Sequence, residues 1–118
     1  MGQAKYLNVI RDTLKLKEEE YLPYLDDLDY LEGFTTKNGI EFSEEFQAPF
    51  CNHLTIMLAR LRTGKPVDMQ LEDSVRGELR EDMRVLAERM LAPLFEKYHV
   101  PYSESEVFLI ALYFQTAI

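Results

Sequence analysis

The sequence has little of what several classes of protein require. It contains one cysteine, Cys51, no tryptophan, five glycines and five prolines among 118 residues. A single cysteine excludes an internal disulfide. No apolar run approaches the ~18 residues of a membrane span, and the first residues lack the continuous apolar core of a secretory signal peptide. We therefore expect a cytoplasmic protein that does not enter a membrane.

Basic residues are also scarce. Thirteen lysines and arginines face 21 acidic residues, which gives a net charge of −8. This balance opposes the electrostatic attraction on which nucleic-acid binding depends, so we expect no direct nucleic-acid partner. The length is below the prior of ~150 residues per domain, and it predicts a single domain over residues 1–118.

The residues that are abundant favour helices. Leucine occurs 17 times and glutamate 14 times, whereas valine and isoleucine together occur 11 times. Leucine and glutamate are good helix formers, and β-branched residues prefer strands. With 47% hydrophobic residues, the chain can bury a core without a metal or another cofactor. We predict an all-α protein folded as a compact five-helix bundle.

The first half of the chain predicts three helices. Apolar residues at helical spacing indicate helices over 7–14 and 21–31, separated near Pro23. The segment from Gly33 to Ser43 reads as a connecting loop or small hairpin. Ser43 is a candidate cap for a third helix that extends to about Arg62.

The second half predicts two further helices. Apolar residues at 75, 79, 83, 86 and 90 share one face of a long helix, which should start after Asp68 and end or kink at Pro93. Gly77 lies near its start and weakens it. Ser103 and Glu106 form a candidate capping box before the apolar segment 107–117, which we expect to lie at the centre of the fold.

His53 is the first candidate for chemistry. At 100° per residue it lies at the edge of the apolar stripe of the third helix. Arg60 follows seven residues later, ~10.5 Å along the axis, where a guanidinium can reach toward an anion attached to the imidazole. A nucleophilic nitrogen beside a cation suits phosphate. The alternative is a histidine that only forms a hydrogen bond to a neighbour.

Other charged or reactive residues give weaker signals. Cys51 and His53 point ~200° apart on a helix, so neither a shared metal site nor a Cys–His nucleophile is predicted, and no enzyme motif is present. Arg76, Arg80 and Arg84 form a ridge that could grip an anionic partner. Neighbouring acids favour a solvated mixed-charge face instead, and the acidic runs 18–20 and 26–27 also read as solvated. We expect His99 to be a surface loop residue.

The third and last helices together resemble the PTS regulation domain, a helical module of bacterial antiterminators and transcriptional activators. The family pattern His-Leu-x5-Arg-Leu followed by a glycine turn is matched by residues 53–64. The family's final helix, Glu-x-x-aromatic-Ile-Ala-Leu-His-Phe, is similar to residues 106–114, where Leu109 stands at the aromatic position and Tyr113 replaces the second histidine. The Asn-Pro that commonly follows the glycine turn is absent, and Lys65 and Pro66 stand there.

The resemblance implies a regulatory domain, not an enzyme, in which His53 accepts a phosphoryl group. Arg60 and Arg62 are then candidate neighbours of the phosphate, and Tyr113 with Glu106 occupies the family's second site, on a face that we expect to approach the His53 helix. The donor would be the PTS phosphocarrier protein or a sugar-specific EIIB component. The resemblance also implies a homodimer and a separate output regulator. The alternative is a helical homodimerisation or protein-interaction module that has lost phosphate sensing.

Overall fold

A computed structural model of the protein describes residues 5–117, and within that range the chain is all-α, with no strand. Short helical turns join longer helices, and five helical segments have seven or more residues. The elements are α1 (Lys5–Asn8), which continues as a π-helix (Val9–Thr13); α2 (Glu18–Tyr21), a 3₁₀ turn (Leu22–Tyr24) and α3 (Leu25–Lys37); α4 (Glu44–Arg62); α5 (Asp73–Arg76); α6 (Glu81–Lys97); and α7 (Glu104–Thr116). The predicted fold class is confirmed.

The chain divides into two compact units, with the boundary between Leu58 and Ala59. In the first unit, α1 packs on α3. The ring of Phe50, which has no solvent exposure, stacks on Phe42 at 4.2 Å between ring centroids and meets Tyr6 edge-on at 5.8 Å. The buried carboxylate of Glu32 accepts a hydrogen bond from the backbone N–H of Tyr6 at 2.8 Å. Glu32 thereby satisfies an amide at the start of α1 that has no partner within the helix.

The second unit is built on α6 and α7, which pack against each other. Met90 and Leu91 of α6 are completely buried, as are Ile110 and Phe114 of α7. Five residues of the apolar segment 107–117 are buried, at positions 107, 108, 110, 111 and 114, whereas Leu112 and Thr116 are exposed. The segment therefore buries one face rather than all sides, and its predicted place at the centre of the fold stays a prediction.

Three local predictions are wrong. Helix α3 continues to Lys37, so the connecting loop predicted from Gly33 to Ser43 is confined to residues 38–43, and no hairpin forms there. The long helix predicted from Asp68 is instead the short α5 and the separate α6, and Pro93 lies inside α6 without ending it. Asp27 is not a solvated charge, because only 3% of its surface is exposed.

Candidate functional site

His53 lies on α4 at the edge of the apolar stripe, as the helical spacing of the sequence predicts. Phe50, Leu54 and Met57 on the apolar stripe are completely buried, and His53 is half-buried at the edge of that stripe. The Nε2 atom of its imidazole is buried. Attack on a phosphoryl donor through Nε2 therefore requires the ring to turn outward.

Arg60 is held by Glu106 of α7. Its Nε and Nη2 atoms donate hydrogen bonds of 2.8 Å each to the two carboxylate oxygens, the two-pronged geometry that makes arginine–carboxylate pairs strong. The arginine side chain is 26% exposed and the glutamate side chain 0%. The hydrogen bonds to Glu106 raise the pKa of Arg60. The guanidinium predicted to face an anion on His53 is thus bound to a buried carboxylate.

The predicted capping box at the start of α7 is only half formed. The Ser103 hydroxyl accepts a hydrogen bond from the backbone N–H of Glu106 at 3.2 Å, as predicted. The Glu106 carboxylate does not return the bond to Ser103. It accepts one from the backbone N–H of Val67 at 2.9 Å, in addition to those from Arg60. Glu106 therefore joins the end of α4, Val67 and the start of α7, all within the second unit.

Residues Val67–Met69, which we call the strap, are fastened by side chains from the start of α7. The Val67 carbonyl accepts a hydrogen bond from the Ser103 hydroxyl at 3.2 Å. The Met69 N–H donates to the Ser105 hydroxyl oxygen at 2.8 Å. Sequence reasoning missed Ser105 and the strap, because the partners lie 36 residues apart in the chain and no local pattern joins them.

The remaining predicted site residues, Arg62 and Tyr113, lie in the second unit, as does His99. Arg62 is exposed in the last turn of α4, and Tyr113 is half-buried near the end of α7. His99 is exposed as predicted and has a left-handed backbone, with a φ of 56°. His53 and Tyr113 belong to different units, so an approach of Tyr113 to the His53 helix stays a prediction.

Cys51 has no access to a substrate. Its side chain is completely buried, and burial raises the pKa of its thiol to about 12. A thiol with so high a pKa supplies almost no thiolate at neutral pH, and thiolate is the nucleophilic form. Among residues 5–117, no group of three or more histidine, cysteine or acidic side chains could hold a metal ion.

The arginine ridge is a solvated mixed-charge face, as predicted. Each of the three arginines forms at least one ion pair with an acidic residue. The pairs are Arg76 with Asp73 and Glu104, Arg80 with Asp82, and Arg84 with Glu81 and Glu88. Exposed pairs of this kind contribute little to stability, and their positive charge is already balanced.

Over the described residues the chain is all-helical, its second unit holds an ion pair whose carboxylate is completely buried, and His53 lies at the edge of the apolar stripe of α4. The model of the PRD domain family matches residues 28–117, a range that includes residues of both units. No curated protein and no solved structure matches the chain. Over the described residues, no helix has both the length and the apolar character that crossing a bilayer requires.

The chain therefore belongs to the PRD family. Members of this family are regulatory domains under the control of the phosphotransferase system, and the family is not a catalytic one.

Proposed function

We propose that this domain is controlled by phosphorylation of His53 and that the donor is the PTS phosphocarrier protein or a sugar-specific EIIB component. The main support is the position of His53 at the edge of the apolar stripe of α4, inside the matched range 28–117. His53 also begins the His-Leu-x5-Arg-Leu pattern. His99 has no such pattern around it, and Tyr113 stands in the family's final-helix pattern but is not a histidine.

The chemistry follows from the imidazole. A histidine with the reference pKa of ~6.5 is largely neutral at pH 7, so one ring nitrogen has a free lone pair. That nitrogen attacks the phosphorus of the donor, a phosphorus–nitrogen bond forms on His53, and the bond between the phosphorus and the donor breaks. Tyr113 carries a phenol in place of an imidazole and offers no such nitrogen.

The consequence of phosphorylation is a change of charge at the edge of a buried face. A phosphoryl group adds close to two negative charges and strong acceptor oxygens. Arg60 and Arg62 lie seven and nine residues further along α4 and are the cations that we expect to respond. The altered charge would change self-association of a homodimer or binding to a separate output regulator.

The test is phosphoryl transfer in a defined mixture. The full chain is incubated with phosphoenolpyruvate, the general PTS enzymes and candidate EIIB components, and acid-labile phosphate is mapped by mass spectrometry under alkaline conditions. We expect label on the wild type and on the matched control His99→Ala, and none on His53→Ala. An unlabelled wild type, with donors shown active on another PRD domain, would contradict the proposal.

The second candidate is a homodimerisation or interaction module that has lost phosphate sensing. Tyr113 favours it, because this residue stands where the family has its second histidine and cannot accept phosphate in the same way. Under this alternative the wild type stays unlabelled but still self-associates. The transfer experiment and a sedimentation measurement on the same sample therefore distinguish the two functions.

A further inference from the structure

The ion pair of Arg60 and Glu106 holds more than two side chains together. The Glu106 carboxylate has no solvent exposure, and its hydrogen bonds come from the Arg60 guanidinium and from the Val67 N–H. A buried carboxylate is stable only while it is paired. The position of the strap is therefore tied to the position of Arg60.

The side chains that form hydrogen bonds to the strap all come from one place, the start of α7. They are Ser103, Ser105 and Glu106, all in or next to the first turn of α7. The strap directly follows the turn that ends α4, in which the Lys65 N–H bonds to the Arg60 carbonyl at 2.9 Å. The backbone carbonyl of Arg60 thus binds Lys65, just before the strap. Its side chain binds Glu106, which holds Val67 of the strap.

We propose that Arg60 and Glu106 form a latch on the strap, and that the latch opens when a phosphoryl group on His53 draws Arg60 away from Glu106. This inference rests on the proposed function of His53. Arg60 lies two helical turns after His53, and its guanidinium binds a phosphoryl group in the same two-pronged manner as a carboxylate. A group with nearly two negative charges competes well against a carboxylate with one.

Opening must displace the strap because Glu106 cannot stay as it is. Without Arg60, the carboxylate would retain the Val67 N–H as its remaining hydrogen-bond donor among those described here, and a charge buried in this state is costly. Glu106 therefore turns toward water. This movement weakens its hydrogen bond to the Val67 N–H and frees the strap.

Hydrogen exchange at two amides measures the latch directly. The Val67 N–H donates to Glu106 and the Met69 N–H donates to Ser105, so their exchange rates report whether the strap is fastened. In the unphosphorylated full chain, we expect Arg60→Met to raise both rates at least tenfold. The matched control is Arg80→Met, which breaks an exposed ion pair with Asp82 and takes part in none of the hydrogen bonds that fasten the strap, so both rates should stay unchanged.

A milder variant guards against a loss of fold. Arg60→Lys keeps the charge but loses the two-pronged geometry, and it should raise the two rates by an intermediate factor while amides in the core of α6 and α7 stay protected. If neither variant raises the rates at Val67 and Met69, the latch does not exist.

Phosphorylation of the wild type is the decisive comparison. We expect the Val67 and Met69 rates to rise at least tenfold in the phosphorylated chain and to return when the phosphoryl group is removed by mild acid. Label on His53 with unchanged rates would overturn the latch and leave the proposed function intact. If no label forms, the proposed function and phosphoryl-driven opening both fail, and the Arg60 variants still decide whether the ion pair fastens the strap.

Discussion

Glu106 shows how much a single buried charge can organise. Its motif predicted a helix cap, and the backbone bond to Ser103 fulfils that part. Its side chain does not complete the cap. It forms an ion pair with Arg60 and accepts a hydrogen bond from the Val67 N–H. The two ends of the ion pair are not equivalent, since the glutamate is completely buried while the arginine is 26% exposed. Losing Arg60 and losing Glu106 should therefore lower the free energy of unfolding by different amounts.

This asymmetry predicts the outcome of a double-mutant cycle. Arg60→Met leaves a buried carboxylate without its cation and should lower the free energy of unfolding by about 3–5 kcal/mol. Glu106→Leu leaves an arginine that can reach water and should cost less. The double variant should be more stable than Arg60→Met alone, because an apolar pair replaces the stranded charge. Urea unfolding followed by circular dichroism measures all three.

The control for this cycle is Arg76→Met, which breaks exposed ion pairs with Asp73 and Glu104 and should change stability by less than about 1 kcal/mol. A cost for Arg60→Met no larger than that of the control would show that the pair of Arg60 and Glu106 is not a buried one in solution.

Cys51 predicts an alkaline loss of stability. Burial raises the pKa of its thiol from 9.0 to about 12, so the unfolded chain releases this proton first as the pH rises. The free energy of unfolding should therefore fall from pH ~9 upward, by up to roughly 1 kcal/mol per pH unit. Burial also raises the pKa of Tyr6, from 10.0 to about 12, and this contribution starts about one pH unit later.

Urea unfolding at pH 8, 9 and 10 tests the thiol, with Cys51→Ala as the comparison. The variant starts from a lower stability because it leaves a small cavity. Its stability should nevertheless change less than that of the wild type between pH 9 and 10. Equal slopes for the two proteins would contradict a raised thiol pKa.

At the scale of elements, three helices end in the same way. After the last turn, one N–H bonds five residues back and the preceding N–H bonds three residues back, the pattern of a Schellman motif. These pairs of bonds are Ile40 to Thr35 with Gly39 to Thr36, Lys65 to Arg60 with Gly64 to Leu61, and Val100 to Phe95 with His99 to Glu96. The left-handed position holds Gly39, Gly64 and His99, with φ angles of 72°, 74° and 56°.

His99 is the exception at this position, because a side chain in the left-handed region is strained and glycine is not. His99→Gly should therefore raise the stability by up to ~1 kcal/mol, measured as a higher melting temperature. Gly64→Ala is the matched reverse change and should lower it by a similar amount, since a Cβ there meets nothing within 4 Å and the cost is backbone strain alone. Destabilisation by His99→Gly would indicate that the imidazole makes a contact that outweighs the strain.

The elements also show which parts of the fold a sequence can predict. Helices α4 and α7 were predicted nearly to their ends, because capping residues and glycines mark the boundaries and the apolar spacing is unbroken. The predicted helix boundaries were wrong near Gly33 and Gly77. One of these glycines lies within a helix and the other ends one. Gly33 lies inside α3, between the buried residues Leu31 and Thr35, and packing overrides its low helix propensity. Gly77 ends the short helix α5.

The candidate site was predicted only in its local part. The helical wheel placed His53 at the edge of the apolar stripe, since residues on one helix have fixed angular relations. The link of Arg60 to Glu106 spans 46 residues and that of Val67 to Glu106 spans 39. Such contacts depend on tertiary packing, for which helical periodicity holds no information. Charge alone could not show that Arg60 was already paired.

At the scale of the whole molecule, charge and apolar exposure have opposing effects on association. The net charge is −8, which makes copies of the chain repel each other. Among the described residues, five large apolar side chains are more than one third exposed: Leu22, Leu25, Ile56, Tyr102 and Leu112. Exposed apolar surface favours contact between copies, because removing it from water lowers the free energy.

This opposition predicts how the proposed homodimer depends on salt. If two chains of net charge −8 associate through apolar surface, screening reduces their repulsion without weakening the contact. Raising the ionic strength from about 0.02 to about 0.3 M shortens the Debye length from roughly 20 to roughly 6 Å, so the dissociation constant should fall several-fold. Sedimentation equilibrium across this range measures it, with circular dichroism at each salt concentration as the control for unchanged folding. A dimer that weakens with salt would instead depend on ion pairs between chains, and a strict monomer well above micromolar concentration would contradict the homodimer.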